Sequence, residues 1–535
     1  MLRRGPRTPE RRVEAGERRG GAPYRVLAST ALGVVVLAGL GAVMGPQWDP
    51  VPLTDPLTVQ TSSTAVGDAP PARTYDVETS IVEVQLDGAT VQAQVSVPVG
   101  LDEPAPGVVF VHGAGTGRFE VAFVEQARAL AASGVVAMVP DKRLDTYTTR
   151  HRDYVQMAAD YRASVDVLRA RDDVDADRVG IYAESEGGWI APVMAAEDPD
   201  LGFVVLVSSP VVPPREQAAF AVDSYLRNTG VPHGVFRAIP RAVGMSLPGG
   251  GFEYADFDVT PYQRRMTQPV LVVYGTGDAS MPTVQGAEQI IRDTAIGGNG
   301  DVTVRYYEGA NHGIRVGGDV SAQFLADLSG WVRGLPGTAA SQPRIAGAQP
   351  VQTYVATPVP EPWWLRDGDV VLGTVAAAAG LILLAPLLVG GARGAEAVTA
   401  RLRRTGDVEP AAPDGPRPAP ARFGPGVAVR LAALGAGVLL TVVALVVYLV
   451  SIARLALDYE RNDWVVQGGW LGVRILGIAV VVAGVLLARR VHRLRVVHVP
   501  VARGVLRTAA GWAVVVGSGV LLVVLAYWGV FQLGI

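Results

Sequence analysis

The chain has 535 residues, of which 49% are hydrophobic and 18% are charged, and its formal net charge is −3. This length exceeds that of one ordinary domain, and the small net charge gives no reason to expect nucleic acid as a partner. There is no cysteine, which excludes disulfides, thiolate metal sites and a cysteine nucleophile.

Five segments are apolar over about 20 residues, the length that a helix needs to cross a bilayer. They are residues 26–44, 370–390, 431–453, 469–488 and 510–531. A cleaved signal peptide is the alternative for the first segment, but the length of its apolar run favours an uncleaved anchor. The sequence therefore predicts one N-terminal membrane helix and a C-terminal domain of four more.

Arginines orient these segments, because positively charged loops stay in the cytoplasm. They are concentrated in the tail 1–25 and in the loops 391–430 and 489–509, whereas the alternate loops are acidic or balanced. All three stretches fall on one side if the chain starts in the cytoplasm. This pattern predicts a multi-pass protein of the plasma membrane, with residues 45–369 and the C-terminus outside the cytoplasm.

Arg474 is a charged residue within the fourth predicted span, where an ionisable group is a candidate for function. It lies near the predicted outer edge, so an arginine that reaches the interface is the favoured alternative. No acidic residue accompanies it in the spans, which argues against ion-coupled transport. We expect the four C-terminal helices to serve as an anchor.

Residues 76–335 are long enough for one sizeable core, between two Pro-rich segments (45–75 and 336–369) that we interpret as linkers. Apolar runs predict strands at 80–86, 90–97, 107–112, 135–140, 178–183, 202–208, 269–274 and 302–307. Amphipathic periodicity predicts helices at 119–133, 153–170, 187–197, 283–293 and 319–333. The alternation predicts an α/β domain with a mostly parallel sheet of about eight strands.

The alternation is interrupted at about 210–268, a segment of mixed character that contains Pro213-Pro214 and Gly249-Gly-Gly251. An insertion here follows a strand, and ligands bind beyond the carboxyl ends of the strands in open α/β sheets. We interpret the segment as a small lid. A decorative surface loop is the alternative.

Ser185 lies between the strand-like run that ends at Ala183 and a helix-like run that begins after Gly187-Gly188. A serine on a sharp turn between strand and helix has the geometry of a nucleophile elbow. A serine nucleophile needs a base and a group that orients the base. Asp278 and His312 each follow a predicted strand, and the chain order Ser185, Asp278, His312 is the one that α/β-hydrolases use.

Five motifs in order resemble those of the α/β-hydrolase superfamily, nearest to dienelactone-hydrolase-like and prolyl-oligopeptidase-like serine esterases. They are Phe110-Val-His-Gly-Ala-Gly115, Pro140-Asp-Lys-Arg143, Ala183-Glu-Ser-Glu-Gly-Gly-Trp-Ile-Ala-Pro192, Gly275-Thr-Gly-Asp278 and Gly309-Ala-Asn-His-Gly313. The resemblance covers about half of the chain. It implies Ser185 as nucleophile, His312 as base and Asp278 as the orienting acid, with no metal or cofactor. Ala183 departs from the glycine that is usual at its position, but a small residue should fit there.

The oxyanion hole is expected to use the backbone N–H groups of Ala114 and Glu186, because a developing negative oxygen needs N–H donors aimed at it. Glu184 and Glu186 flank the serine, and helix capping is favoured over a role in rejecting anionic substrates. We interpret His112, His151 and His233 as structural or surface residues. The run Asp141-Lys-Arg143 is interpreted as a structural charge cluster rather than a substrate clamp, and Asp256 and Asp258 are weaker rivals of Asp278.

The sequence thus predicts a membrane-anchored extracytoplasmic serine hydrolase that acts on carboxylic esters. Its expected substrate is a small-molecule, lipid or cell-envelope acyl ester, and no nucleic acid is involved. An acyltransferase or a peptidase would use the same three residues, since the fold does not separate these activities. A non-catalytic sensor or scaffold is the third alternative.

Overall fold

The computed structural model describes residues 23–405, 422–457 and 460–532. Most of the predicted cytoplasmic tail and the middle of the loop 391–430 therefore lie outside the described residues. The chain divides into two compact units. The sheet unit comprises Asp49–Tyr225 and Gly250–Val359, and the helical unit comprises Met1–Trp48, Leu226–Gly249 and Pro360–Ile535.

The sheet unit is built on nine paired strands. In chain order they are β1 Val77–Leu86, β2 Ala89–Pro98, β3 Ala105–Val111, β4 Val136–Pro140, β5 Val174–Glu184, β6 Val204–Val207, β7 Val270–Gly275, β8 Val302–Tyr307 and, after a short hairpin, β11 Ile345–Gly347. The hairpin strands are β9 Arg315–Val316 and β10 Asp319–Val320, which pair with each other. Each of the eight predicted strands has a counterpart in this sheet.

The strand order in the sheet is β1-β2-β4-β3-β5-β6-β7-β8-β11. The strand β2 pairs antiparallel with both of its neighbours, and all pairings from β4 onward are parallel. This order, with a strand–turn–helix elbow after β5, is the α/β-hydrolase fold. The predicted fold class is confirmed.

Both faces of the central strands are covered. All residues of β3, β4, β6, β7 and β8 are buried, as expected for parallel strands with helices on both sides. The helices of the sheet unit are α2 Val124–Ala132, α3 Tyr154–Arg169, α4 Gly187–Glu197, α5 Pro214–Asn228 (which ends in the helical unit), α7 Thr260–Gln263, α8 Thr283–Ile296 and α9 Ala322–Gly334. Asp153 caps α3, since its carboxylate accepts from the N–H groups of Val155 and Gln156.

The strand β11 lies inside the segment 336–369, for which the sequence predicts a linker. It pairs parallel with β8, with Ala346 opposite Arg305. The Arg305 guanidinium donates to the carbonyl oxygens of Thr64 and Pro343. Parts of both predicted linkers therefore pack against the sheet edge. The buried Arg305 guanidinium needs hydrogen-bond acceptors, and the open edge of β8 needs a strand to pair with.

The helical unit contains five helices that are long and apolar enough to cross a membrane. They are α1 Pro23–Val43, α10 Gly368–Thr405, α11 Val427–Leu457, α12 Trp470–Val496 and α13 Val505–Tyr527. A π-helical turn, Trp464–Gly469, precedes α12. Helix α13 packs against α1, α10 and α11, and α12 packs against α1 and α11. The predicted Arg474 lies in α12 and donates to the carbonyl oxygen of Gln532.

The boundaries of the predicted lid differ in the structure, because residues 226–249 belong to the helical unit. This part contains α6, Ala238–Val243, and the fully buried Arg241. Its Nη2 donates to the carbonyl oxygen of Gly41 at 2.8 Å, and its guanidinium lies 4.8 Å from the centroid of the Tyr527 ring. The last carbonyls of a helix have no partner within it, so the end of α1 offers an acceptor to this guanidinium.

Candidate active site

Ser185 occupies a strained turn at the end of β5. Its φ angle is 55°, in the left-handed region that residues other than glycine rarely adopt. Two hydrogen bonds hold the turn: the N–H of Ser185 donates to Val207 O at 3.0 Å, and Ser185 O accepts from the N–H of Gly188 at 2.8 Å. Such strain costs about 1–3 kcal/mol and occurs mainly at functional sites. The turn presents the Ser185 side chain at the carboxyl edge of the sheet.

Small residues make this turn possible. A Cβ on Gly187 would lie 2.8 Å from Val111 O and 3.2 Å from the Cβ of Ala183. A Cβ on Gly188 would overlap the Ser209 hydroxyl. The elbow therefore requires glycine at both positions, and it accommodates the Ala183 methyl, which is fully buried.

His312 and Asp278 are brought together by the loops after β8 and β7. The Nδ1 atom of His312 lies 2.8 Å from Oδ2 of Asp278, whose carboxylate is buried. The Ser208 hydroxyl donates to His312 O at 2.7 Å, and Ser208 directly follows the Val207 carbonyl that holds Ser185. These contacts gather the three predicted residues at one edge of the sheet.

Ser280, which no sequence motif indicated, completes the environment of Asp278. Its hydroxyl donates to Oδ1 of Asp278 at 2.6 Å, and its N–H donates to the same oxygen at 3.0 Å. The carboxylate thus has a fixed orientation toward the imidazole. The only signal in the sequence was the spacing of two residues, which lets an aspartate side chain bond its own backbone.

The two partners shift each other's pKa. Burial by itself raises the pKa of Asp278, but the charge and hydrogen bond of His312 outweigh it and hold that pKa below its usual value. Burial by itself lowers the pKa of His312, but Asp278 outweighs it and raises that pKa above its usual value, with a smaller contribution from Glu184. The arrangement stabilises an imidazolium, the form that a general base takes once it has accepted a proton.

Ser185 Oγ makes no hydrogen bond to another group in the described part of the chain. Catalytic hydrogen bonds are often long without substrate and tighten in the complex. The oxygen is close to the β3 loop, since a Cβ on Gly113 would lie 3.7 Å from it. A substrate carbonyl at this point would have the serine on one side and the loop on the other.

The predicted oxyanion donors belong to residues near Ser185: Glu186 follows it in the chain, and Ala114 follows Gly113, which is close to Ser185 Oγ. Within the described residues, neither the N–H of Ala114 nor that of Glu186 donates a backbone hydrogen bond. Glu186 directly precedes the first residue of α4, where unpaired N–H groups and the helix dipole favour negative charge. Both donors are therefore available to an anionic oxygen.

Glu184 is a residue whose neighbourhood the sequence did not reveal. Its carboxylate accepts from the Tyr182 hydroxyl at 3.2 Å, and burial raises its pKa despite the opposing effect of His312. The prediction that it caps the helix has no support among the hydrogen bonds of the described residues, because α4 begins without a side-chain cap. Glu184 is instead a second acid near the imidazole, and its charge contributes to the raised pKa of His312.

The predicted charge cluster divides among three places. Asp141 accepts from Arg118 and from the N–H of Phe119. Arg143 donates to Asp145 and to Asp87 O. Lys142 alone reaches the elbow, where its Nζ lies 3.0 Å from Oε2 of Glu186.

The other candidates have structural partners. His112 is fully buried, and its Nε2 lies 2.7 Å from Pro140 O. Burial lowers the pKa of His112 to about 4, so it stays neutral under ordinary conditions. Asp256 pairs with Arg215 at 2.6 Å, and Asp258 accepts from the N–H of Thr260. Among the described residues, no group of three or more His, Asp or Glu side chains is placed to hold a metal ion.

No protein-family model and no curated protein sequence matches the chain. Solved structures do resemble it, and they include dienelactone-hydrolase-like proteins. A Klebsiella pneumoniae protein assigned to the dienelactone hydrolases is 19% identical, covers 49% of this chain with 99% of its own, and has a TM-score of 0.35. Est1E from Butyrivibrio proteoclasticus is 17% identical, with coverages of 47% and 96% and a TM-score of 0.33. A 2,6-dihydroxy-pseudo-oxynicotine hydrolase is 15% identical, with coverages of 51% and 72% and a TM-score of 0.36.

Proposed function

We propose that this protein is a membrane-anchored serine hydrolase that cleaves carboxylic esters outside the cytoplasm. Ser185 attacks the acyl carbonyl while His312 accepts the hydroxyl proton, and the N–H groups of Ala114 and Glu186 bind the resulting oxyanion. His312 then gives the proton to the leaving alcohol. Water, activated by the same imidazole, releases the acid from the acyl-enzyme.

The observation that carries this proposal is the 2.8 Å contact of His312 with the buried carboxylate of Asp278, at the same sheet edge as a serine with a φ angle of 55°. A binding domain has no physical need for a strained serine and an oriented imidazole at one edge, whereas acyl transfer by a serine uses both. Esters are the simplest acyl substrates of such a site, since their alcohol leaves more easily than an amine.

The membrane location is supported by the five long apolar helices. The orientation rests on the arginine-rich loops, which stay in the cytoplasm in membrane proteins. With this topology the sheet unit lies outside the cytoplasm. A substrate with an acyl chain from a lipid or from the cell envelope would be available there.

The activity is tested with the full chain in detergent or nanodiscs. We expect hydrolysis of a short-chain nitrophenyl ester and labelling by a fluorophosphonate, both lost in Ser185→Ala. Equal hydrolysis rates in the parent and in Ser185→Ala would contradict the proposal. Transfer of the acyl group to an added amine or alcohol in preference to water would reassign the protein as an acyltransferase, and faster cleavage of peptide amides as a peptidase.

The orientation is testable because the chain has no cysteine of its own. Ser80→Cys places a thiol at an exposed position of β1, and His492→Cys places one at an exposed position near the arginine-rich end of α12. We expect a membrane-impermeant maleimide to label Ser80→Cys in intact cells and His492→Cys only after permeabilisation. The reverse pattern would place the sheet unit in the cytoplasm.

A further inference from the structure

Lys142 is the only lysine in the chain, and it is buried against the elbow. Its side chain is 1% exposed. The ammonium donates to Gly113 O at 2.7 Å and to Oε2 of Glu186 at 3.0 Å. The Tyr147 ring covers it, with its centroid 4.3 Å from Nζ. A substrate has no access to an ammonium buried in this way, so Lys142 is not a substrate clamp.

The two acceptors of Lys142 belong to the two candidate oxyanion donors. Gly113 O and the N–H of Ala114 are the two ends of one planar peptide group, and in a trans peptide they point in opposite directions. A hydrogen bond that fixes Gly113 O therefore also fixes the direction of the Ala114 N–H. Glu186 carries the second N–H on its own backbone. One ammonium thus ties both donors to a common point.

The charges around Glu186 also matter, because its carboxylate lies beside the position where an oxyanion would form. Arg152 lies 2.6 Å from Oε1 of Glu186, and the Tyr147 hydroxyl donates to Oε2 at 2.9 Å. With Lys142, two cations surround one carboxylate. The net charge of Lys142, Arg152 and Glu186 together is positive, which favours a developing negative oxygen instead of repelling it.

A cation at the carbonyl end of a peptide group also strengthens its N–H as a donor. Hydrogen-bonded groups polarise one another, and the effect is larger in a buried site than in water. The ammonium on Gly113 O withdraws electron density from the peptide, so that the Ala114 N–H becomes a better partner for an oxyanion. The hydrogen bond to Gly113 O therefore both orients the Ala114 N–H and strengthens it as a donor.

We propose that Lys142 is a positioning residue of the oxyanion hole, which orients the Ala114 and Glu186 donors and offsets the Glu186 carboxylate. The inference rests on the proposed function, since it concerns the transition state of the same ester hydrolysis. It assigns to Lys142 no contact with the substrate. Its loss should weaken the binding of the tetrahedral oxyanion while the ground-state ester binds as before.

The test measures the oxyanion directly in the full chain. A trifluoromethyl ketone forms a tetrahedral adduct with an active serine and places an anionic oxygen in the hole. Active sites are first counted by fluorophosphonate titration, so that kcat and the inhibition constant refer to folded protein only. In Lys142→Met we expect kcat to fall and the inhibition constant to rise by the same factor, about 10–100-fold, with KM unchanged. Loss of a donor itself typically costs about 10²–10³-fold.

Two further variants sharpen the result. Lys142→Arg keeps a cation and should recover part of the loss in both constants. Arg143→Met changes the neighbouring side chain, which bonds Asp145 and Asp87 O, and it should leave both constants as in the parent. A variant that only destabilised the loop would lower the number of titrated sites and leave the constants per site intact.

Lys142→Met leaves a buried carboxylate with one cation fewer, so it could fail to fold. The second comparison is therefore Glu186→Gln against the double variant Lys142→Met with Glu186→Gln, because replacing both members of a buried ion pair is often near neutral for stability. Relative to Glu186→Gln, the double variant lacks the ammonium and with it the hydrogen bond to Gly113 O, while the carboxylate is absent from both. We expect its inhibition constant for the trifluoromethyl ketone to be the higher of the two.

Three results would overturn the inference: constants per site equal to those of the parent in Lys142→Met, a rise in KM with unchanged kcat, or equal inhibition constants in the second comparison. A parent protein that neither hydrolyses esters nor reacts with the fluorophosphonate would instead remove the proposed function. The two failures are therefore distinguishable.

Discussion

One buried cation of the sheet unit, Lys142, and one of the helical unit, Arg241, are stabilised by different partners. Lys142 meets a carboxylate from a residue 44 positions away, beyond the ends of two parallel strands that β3 separates. In the helical unit, the fully buried Arg241 meets the carbonyl oxygen of Gly41 near the end of a helix and the ring of Tyr527. Burial lowers the pKa of Arg241 to about 10, and Tyr527 opposes this shift only in part.

The difference follows from the two architectures. Parallel strands bring loops from distant parts of the chain to one edge, where side chains of opposite charge can converge on a single residue. The end of a helix offers free main-chain acceptors, because its last carbonyls lack partners within the helix, and Arg241 uses one of them. The buried cation of the sheet unit thus lies beside the elbow of Ser185, whereas Arg241 holds helices of the helical unit together.

The largest expected effect is that of Ser185→Ala. Loss of the proposed nucleophile should reduce kcat for a nitrophenyl ester by about 10⁶-fold. The unfolding temperature should stay near that of the parent, because the hydroxyl makes no hydrogen bond in the described chain. Steady-state kinetics and a thermal melt check both statements. A variant that does not fold would contradict this expectation, because Ser185 would then be needed for folding as well as for catalysis.

Asp278→Asn is expected to come next, with a loss of about 10⁴-fold in kcat. The amide keeps the shape of the carboxyl group but no longer stabilises the imidazolium of His312. The matched control is Asp256→Asn, which removes a carboxylate paired with Arg215. Equal kcat values in Asp278→Asn and the parent would show that the orienting acid lies elsewhere.

Gly41→Ala tests the helical unit. A Cβ at Gly41 would overlap the carbonyl oxygen of Ala526, so α1 and α13 would have to separate. Overpacking of this kind costs about 1–3 kcal/mol. We expect a lower unfolding temperature in detergent and an unchanged kcat per titrated site.

The control for this change is Gly39→Ala on the same helix, since no atom lies within 4 Å of a Cβ at Gly39. It should leave the unfolding temperature as in the parent or raise it, because alanine favours a helix over glycine. A change of kcat per site in Gly41→Ala alone would break the separation of roles between the two units.

The smallest expected effect is a shift of the pH profile in Glu184→Gln. The base works only when His312 is neutral, so kcat/KM rises as the pH rises through the pKa of His312. Glu184 contributes to the raised pKa of His312. Its removal should lower that pKa and move the acid limb of the profile to lower pH, with little change in the plateau.

The exposed Glu83→Gln serves as the matched charge control and should leave the acid limb in place. A shift to higher pH in Glu184→Gln, or no shift at all, would contradict the assignment of Glu184 as a second acid near the imidazole. The profile is measured as kcat/KM against pH with one ester at constant ionic strength.

The sequence by itself determined the elements and their order. Apolar runs and helical periodicity locate the eight predicted strands, because parallel strands that are buried on both faces leave a continuous apolar signal. The length of apolar runs locates the five helices that are long and apolar enough to cross a membrane. The turn at Ser185 was predictable because Gly187 and Gly188 follow it. Glycine is needed where the backbone approaches other atoms this closely.

Only the tertiary structure decided which side chains meet. Lys142 and Glu186 lie in different motifs, and nothing in their spacing indicates that one bonds the other. The same holds for Glu184 beside His312 and for Arg241 against Gly41. The assignment of 226–249 to the helical unit and of β11 to the sheet was also not predictable, because segments without a clear apolar periodicity take their place from the partners they meet. Local sequence patterns indicate burial and turns, whereas the contacts between side chains depend on which distant segments come together in the fold.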